Sequence, residues 1–157
     1  MDYQAAKRLE ILVIVNDFTG YGKAVNQGLS LATQPWLLVC NNDIEWIEGE
    51  LSDMCHSKAV MVPSIVPMPR DLLPRAVFCM PRETYQKVGG FDERFEGGYF
   101  EDDDYIMRLR EAGIPMGIAP HVKARHLDGG GLTMKTVGEQ KHFDANKARF
   151  EEKWKSQ

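Results

Sequence analysis

The 157-residue chain is long enough for one domain with a real core and too short for a comfortable second, and its 43% apolar and 27% charged residues suit a soluble globular protein. A net charge of −4 argues against nonspecific nucleic-acid binding. No apolar run reaches the length of a membrane span and the first residues lack a signal-peptide layout, while Cys40, Cys55 and Cys79 are scattered without a C-x-x-C pair. The expectation is a single cytoplasmic domain over residues 1–157, with reduced thiols.

In chain order, "MDYQAAKRLE" suggests a short helix, and the continuous apolar run Ile11 to Val15 suggests a strand covered on both faces. A glycine-punctuated turn follows, and Val25, Leu29 and Ala32 then repeat at helical spacing before Pro35. "WLLVC" (Trp36 to Cys40) predicts a second buried strand, stopping at Asn41-Asn42-Asp43. "ELSDMCHSK" predicts a short helix and "AVMV" a third strand, followed by an irregular loop from Pro63 to Pro74 with four prolines. "RAVFCM" reads as a strand and "RETYQKVG" as a helix ending at glycine. Tyr105, Ile106 and Leu109 mark a helix that Gly113 ends. "IPMGIA" and "HVKAR" predict two short strands, and Phe143, Phe150 and Trp154 an amphipathic helix from Glu139 to Trp154. Strands alternating with helices predict an α/β fold with a mainly parallel sheet, in which ligands bind beyond the carboxyl ends of the strands.

Asp43 then stands at the mouth of the sheet, where a carboxylate on rigid backbone suits a divalent cation; an Asx turn leaving the strand accounts for the same residues. His126, closing "HVKAR" before a glycine loop, is positioned to complete a coordination shell, and imidazole with carboxylate favours Mn²⁺ over Mg²⁺. Between them, seven carboxylates crowd into the seventeen residues from Gly89 to Tyr105. Glu101 to Asp104 fall on a helix N-terminus, whose free N–H groups and dipole stabilise one or two of them. Four in a row beside Gly97-Gly98, where bare backbone admits a ligand, fit a general base facing a cleft better.

Four motifs in order carry a resemblance. "GYGKAVNQGLSLA" has an A-x-N-x-G core (Ala24, Asn26, Gly28); "LLVCNND" ends a strand in a carboxylate; "VGGFDERFEGGYFEDDDYIMRLREAGI" joins G-G-F-D-E-x-F to E-D-x-D; and "ARHLDGGG" supplies a late histidine. From about Val13 onward the sequence resembles the family-2 glycosyltransferases, inverting enzymes of the GT-A fold. The resemblance implies a metal-dependent transferase that moves a sugar from a nucleoside-diphosphate sugar to an acceptor hydroxyl on a glycan, lipid-linked or protein acceptor. It implies Asp102 as catalytic base, with Glu101 and Asp104 orienting the base and its helix, and Asp43 and His126 holding Mn²⁺ or Mg²⁺ on the diphosphate. Asp103 departs from the pattern, standing where the family has an uncharged residue. Asn41, Asn42, Gly97 and Gly98 are the expected nucleotide- and sugar-contacting positions.

The family's opening β-α-β portion has no counterpart in this reading, so the domain is expected to be shortened at its N-terminus. Asn16, Asp17, Lys23 or Asn26 is then left to serve the nucleotide. The expectation is a compact active enzyme. The alternatives are a domain completed by a partner or by homo-oligomerisation, a catalytically silent nucleotide-sugar or glycan-binding module, and a metal-dependent nucleotide-sugar hydrolase.

Overall fold

The computed structural model describes residues 11–15, 20–66, 75–127 and 137–155. Helix α1 (Tyr21–Leu31) leads into β1 (Trp36–Cys40) and β2 (Ile44–Glu48); after a 3-10 turn at Leu51–Met54 come β3 (Val60–Val66), β4 (Val77–Pro81), α2 (Arg82–Val88), α3 (Glu101–Glu111), β5 (Met116–His126) and α4 (Val137–Trp154). One sheet holds all five strands in the order β1-β4-β3-β5-β2.

The mainly parallel sheet is corrected by the pairing. Only β3 and β5 run parallel; β1–β4, β3–β4 and β2–β5 are antiparallel. Two misread segments lie behind the difference. Ile11 to Val15 forms no strand: Ile11, Val13 and Val15 are exposed, and Ile14 packs against Gly28 of α1 instead. Ile44–Glu48 is a strand the sequence hides, because on this sheet edge Glu45 to Glu48 face solvent and show no buried alternation. Cross-strand ion pairs hold it, Arg125 to Glu45 at 3.0 Å and Lys123 to Glu48 at 2.6 Å.

"IPMGIA" and "HVKAR" merge into β5, interrupted by a register shift between Pro63/Ser64 on β3 and Ala119/Lys123 on β5. Pro120 offers no N–H to the ladder, so the pairing skips there and resumes. β3 likewise continues past Pro63 into the expected proline loop, while the rest of that loop (67–74) and the N-terminal helix lie outside the described residues.

Strand alternation sorts the core into two layers. Phe78 and Met80 of β4 face Leu29, Leu37, Phe91, Tyr105 and Leu109 beneath the helices, whereas Cys79 turns to Met54, Ala119 and Val122 under the 3-10 turn. Phe91 and Tyr105 stack with ring centres 4.5 Å apart, fixing α3 against the loop that precedes it.

β1 and β2 lie at opposite edges of the sheet, yet only Asn41, Asn42 and Asp43 join them. The four Cα steps from Cys40 to Ile44 span at most about 14 Å. Five strands laid flat would separate the edges by roughly 19 Å. The sheet therefore curls, and the Asn41–Asp43 turn crosses the gap at the end where β1, β3 and β5 finish.

Candidate active site

At this end of the sheet the finish of β1 and β5 and the start of β2 and β4 are tied together. Asn41 donates its N–H to the Ala76 carbonyl at 2.9 Å, which sets the end of β1 beside the start of β4. Leu127 donates to the Asp43 carbonyl at 2.9 Å, closing the turn on the end of β5. The Asp43 carboxylate Oδ2 then meets His126 Nε2 at 2.9 Å, both side chains about four-fifths covered. Asp43 Oδ1 is buried without a hydrogen-bond partner. An orphaned carboxylate oxygen beside an imidazole is the donor set a Mn²⁺-type cation takes, so the residues fit the implied metal. Among the described residues no third His, Cys, Asp or Glu joins the pair, which leaves substrate oxygens and water to fill the shell.

Asp102 approaches the same mouth from α3 through Arg75. The Arg75 guanidinium bridges two carboxylates, Nη1 to Asp102 and Nη2 to Asp103, the latter at 2.8 Å. The residue next to it, Ala76, is the one that receives Asn41. Tyr21 of α1 donates to the Arg75 carbonyl at 3.0 Å, and its hydroxyl lies in the field of Glu101, Asp102 and Cys40, while Cys40 lies in that of Asp43. Asp43, His126 and Asp102 thus share one end of the sheet. Burial and the neighbouring charges push the Tyr21 hydroxyl far above its usual range, so it stays neutral.

The acidic turn is not uniform. Asp104 is fully buried and matched, taking Arg108 at 2.9 Å, Lys153 at 2.7 Å and the Trp154 indole N–H at 3.0 Å. It fastens α4 onto α3. Asp102 accepts the Asp103 N–H at 2.8 Å, capping its own turn, and burial raises its carboxyl while Arg75 opposes the rise. Glu101 is buried with Oε2 unpartnered; desolvation first, and the Asp102 charge second, push it up to about 7. Asp92 goes the other way: Arg94 and Lys153 hold it well below the usual carboxylate range.

The remaining expected positions divide. Asn26 is a structural tether and not an open nucleotide contact: its Oδ1 accepts the Phe91 N–H at 2.7 Å, and its Nδ2 donates to the Phe91 carbonyl and the Glu93 carboxylate, both at 2.9 Å. Gly90 leaves room for that amide, where a Cβ would collide with it. The A-x-N-x-G and G-G-F-D-E segments are therefore two halves of one lock. Asn41 and Asn42 are on the turn at the mouth, Lys23 is exposed on α1, and Asn16 lies outside the described residues. Gly97 and Gly98 open a run of four residues with positive φ, ending in Tyr99 (φ 73°) and Phe100 (φ 69°). That loop carries backbone strain directly before the acidic turn.

Arg75 and Asn146 were missed. Arg75 is hidden at the end of a proline-rich stretch with no motif, although a lone cation immediately before a buried strand is a readable signal. Asn146 is buried inside α4 and donates to the carbonyls of Glu96 (2.8 Å), Gly98 (2.7 Å) and Tyr99 (3.2 Å).

The curled mixed sheet and its helices are similar in fold to a glycosyltransferase catalytic domain. A family model described as the N-terminal domain of galactosyltransferase matches residues 73–128, which contain Arg75, the acidic turn and His126. Among solved structures, the catalytic domain of Drosophila β1,4-galactosyltransferase 7 in complex with xylobiose superposes with a TM-score of 0.55 at 15% identity, over 76% of this chain and 58% of that one. A mutant of the same Drosophila enzyme in complex with manganese, UDP-Gal and xylobiose gives 0.55 at 13% identity, with the same shares. The chain thus spans 58% of the length of the domain it resembles. No curated protein matches the sequence. Among the described residues no helix is long and apolar enough to cross a membrane.

Proposed function

We propose that the chain is a metal-dependent glycosyltransferase that moves a sugar, with inversion, from a nucleoside-diphosphate donor to a hydroxyl of a glycan acceptor. The observation that supports this reading is that the Asp43–His126 pair and Arg75, which holds Asp102, lie at the same end of the curled sheet. The ligands of the Drosophila relative, UDP-Gal, manganese and xylobiose, support the donor, cation and acceptor classes. The match to the galactosyltransferase family model supports a galactosyltransferase-like activity within the broader glycosyltransferase reading.

Asp102 is the general base. Its carboxylate removes the acceptor proton as the hydroxyl oxygen attacks the anomeric carbon; the bond to the diphosphate oxygen breaks on the opposite face and its electron pair leaves with the diphosphate. Asp43 and His126 would hold Mn²⁺ or Mg²⁺, which when bound neutralises charge on the leaving diphosphate. Glu101, carrying a proton for part of the time near neutrality, donates a hydrogen bond to a sugar hydroxyl. The strained backbone at Gly97–Phe100 shapes the wall of the acceptor side.

The test is turnover with Mn²⁺, a panel of nucleotide sugars and a xyloside acceptor. Acceptor-dependent release of diphosphate is expected from the native chain, and a loss of roughly a hundredfold or more from Asp102→Asn, with nucleotide binding kept. Release of free sugar without acceptor would make the protein a hydrolase. Binding without turnover would make it a silent module.

A further inference from the structure

Arg75 has no place in the reaction as described, yet its setting is not that of a casual surface pair. Its backbone is tied where it leaves the sheet edge, by the Tyr21 hydroxyl on its own carbonyl and by the Asn41 N–H on the next one. Its guanidinium is then delivered from a rigid strand end onto Asp102 and Asp103 at once, one nitrogen to each. The Asp102 side chain is only 17% exposed beneath it. A planar fork spanning two carboxylates fixes both rotamers, which a point charge does not do.

We infer that Arg75 is a positioning residue of the proposed reaction: it aims the Asp102 carboxylate into the mouth and keeps it ionised, and Asp103 is the second anchor of the guanidinium. The inference rests on the reading of Asp102 as the base.

The charges around Asp102 make the need plain. On its own helix stand Glu101 and Asp103. Facing it from α1 is the Tyr21 hydroxyl, beside the Cys40 thiol at the end of β1; burial raises both groups, so neither brings charge near neutrality. Among the described residues, Arg75 is the cation in ion-pair contact with Asp102 and with Asp103. Remove it, and among the described residues the helix N-terminus is what remains beside Glu101, Asp102 and Asp103 to offset their charge. Without Arg75, burial raises the Asp102 carboxyl unopposed by the guanidinium, and a protonated Asp102 cannot accept a proton from an acceptor. Asp103, which departs from the pattern that suggested Asp102, is explained by the same contact: it holds the other prong of the fork.

The test uses the full chain and two readouts. Carboxyl ¹³C titration, with Asp102→Asn to assign the resonance, follows Asp102 directly. The acid limb of kcat/KM follows it in turnover. Arg75→Gln is expected to move both midpoints upward by about one pH unit or more, and to lower kcat more than it raises KM. Arg75→Lys keeps the charge without the fork, serves as the folded control, and is expected to restore most of the midpoint but not all of kcat. Asp103→Asn is expected to keep at least about a tenth of turnover, as an anchor does and a base does not. An Arg75→Gln chain whose Asp102 resonance and acid limb titrate as in the native chain overturns the inference while leaving the base assignment standing. Native turnover from Asp102→Asn overturns the base assignment itself, and is a separate result from the first.

Discussion

Glu101 and Asp104 stand three positions apart on one helix turn and have opposite surroundings. Asp104 is met by a guanidinium, an ammonium and an indole N–H, whereas Glu101 is buried with an oxygen unpartnered. The crowding of carboxylates, which as sequence alone opposes folding, resolves into pairs: Asp92 with Arg94 and Lys153, Glu93 with Asn26, Asp102 and Asp103 with Arg75, Asp104 with Arg108 and Lys153. Glu101 is left carrying the cost of its burial, and this has a measurable sign. Its carboxyl, raised from the ordinary 4.5 to about 7, binds a proton between those values in the folded chain that the unfolded chain has released. Its favourable contribution is therefore full below about pH 4.5 and is lost as pH rises through about 7. Glu101→Gln removes that loss. The variant is expected to be more stable than the native chain at pH 8, by up to about 3 kcal/mol, with the difference closing toward pH 4.5. Urea denaturation at both pH values reads this directly, and an equal difference at the two would contradict the burial argument.

α4 shows what periodicity reveals and what it conceals. Phe143, Phe150 and Trp154 marked an apolar stripe in the sequence, and the helix forms, with Phe143 and Phe150 against Tyr99 and Phe100. Nothing in that stripe announces Asn146 or Lys153, since hydrophobic spacing records which side is covered and is silent about hydrogen bonds made there. Yet Asn146, 1% exposed, ties three carbonyls of the strained loop, and Arg149 in turn donates to its Oδ1 at 3.0 Å. The helix is thus a splint for backbone that would otherwise relax out of its left-handed run. The same blindness hid β2, whose residues Glu45 to Glu48 face solvent, and β5 runs as one strand where two were expected, with a register shift at Pro120. Asn146→Ala leaves those carbonyls buried and unpaired, at an expected cost of about 2 kcal/mol or more in chemical denaturation. Turnover should fall further than stability alone requires, since the loop leads straight into Asp102. A variant with native stability and native turnover would show the loop to be self-supporting.

At the scale of the molecule, the geometry that matters is the curl. The sequence made the strand-end rule usable, and the rule selected Asn41 to Asp43 and His126. It could not reveal the curl, because that follows from β1 and β2 lying at opposite edges with three residues between them, and β2 was unreadable. A flat parallel sheet would also have put Asp43 at a strand end, but with His126 several strands away. The β2–β5 pairing, which puts Ile44 opposite His126, sets the two side chains 2.9 Å apart, and the curl brings Arg75, with Asp102 on its fork, to the same end of the sheet. This arrangement assigns the two ends of the mouth different work, which calorimetry with uridine diphosphate can separate. In Mn²⁺, Asp43→Ala and His126→Ala are each expected to weaken binding about tenfold or more, and in EDTA to change it little. Asp102→Asn should bind as the native chain does under both conditions, because the proposed reaction uses its carboxylate on the acceptor and not on the diphosphate. Combining Asp43→Ala with His126→Ala should cost less than the sum of the two, since each removes a donor from one shared shell. Equal affinities with Mn²⁺ and with EDTA in the native chain would mean that Asp43 and His126 meet only as a hydrogen-bonded turn between β2 and β5.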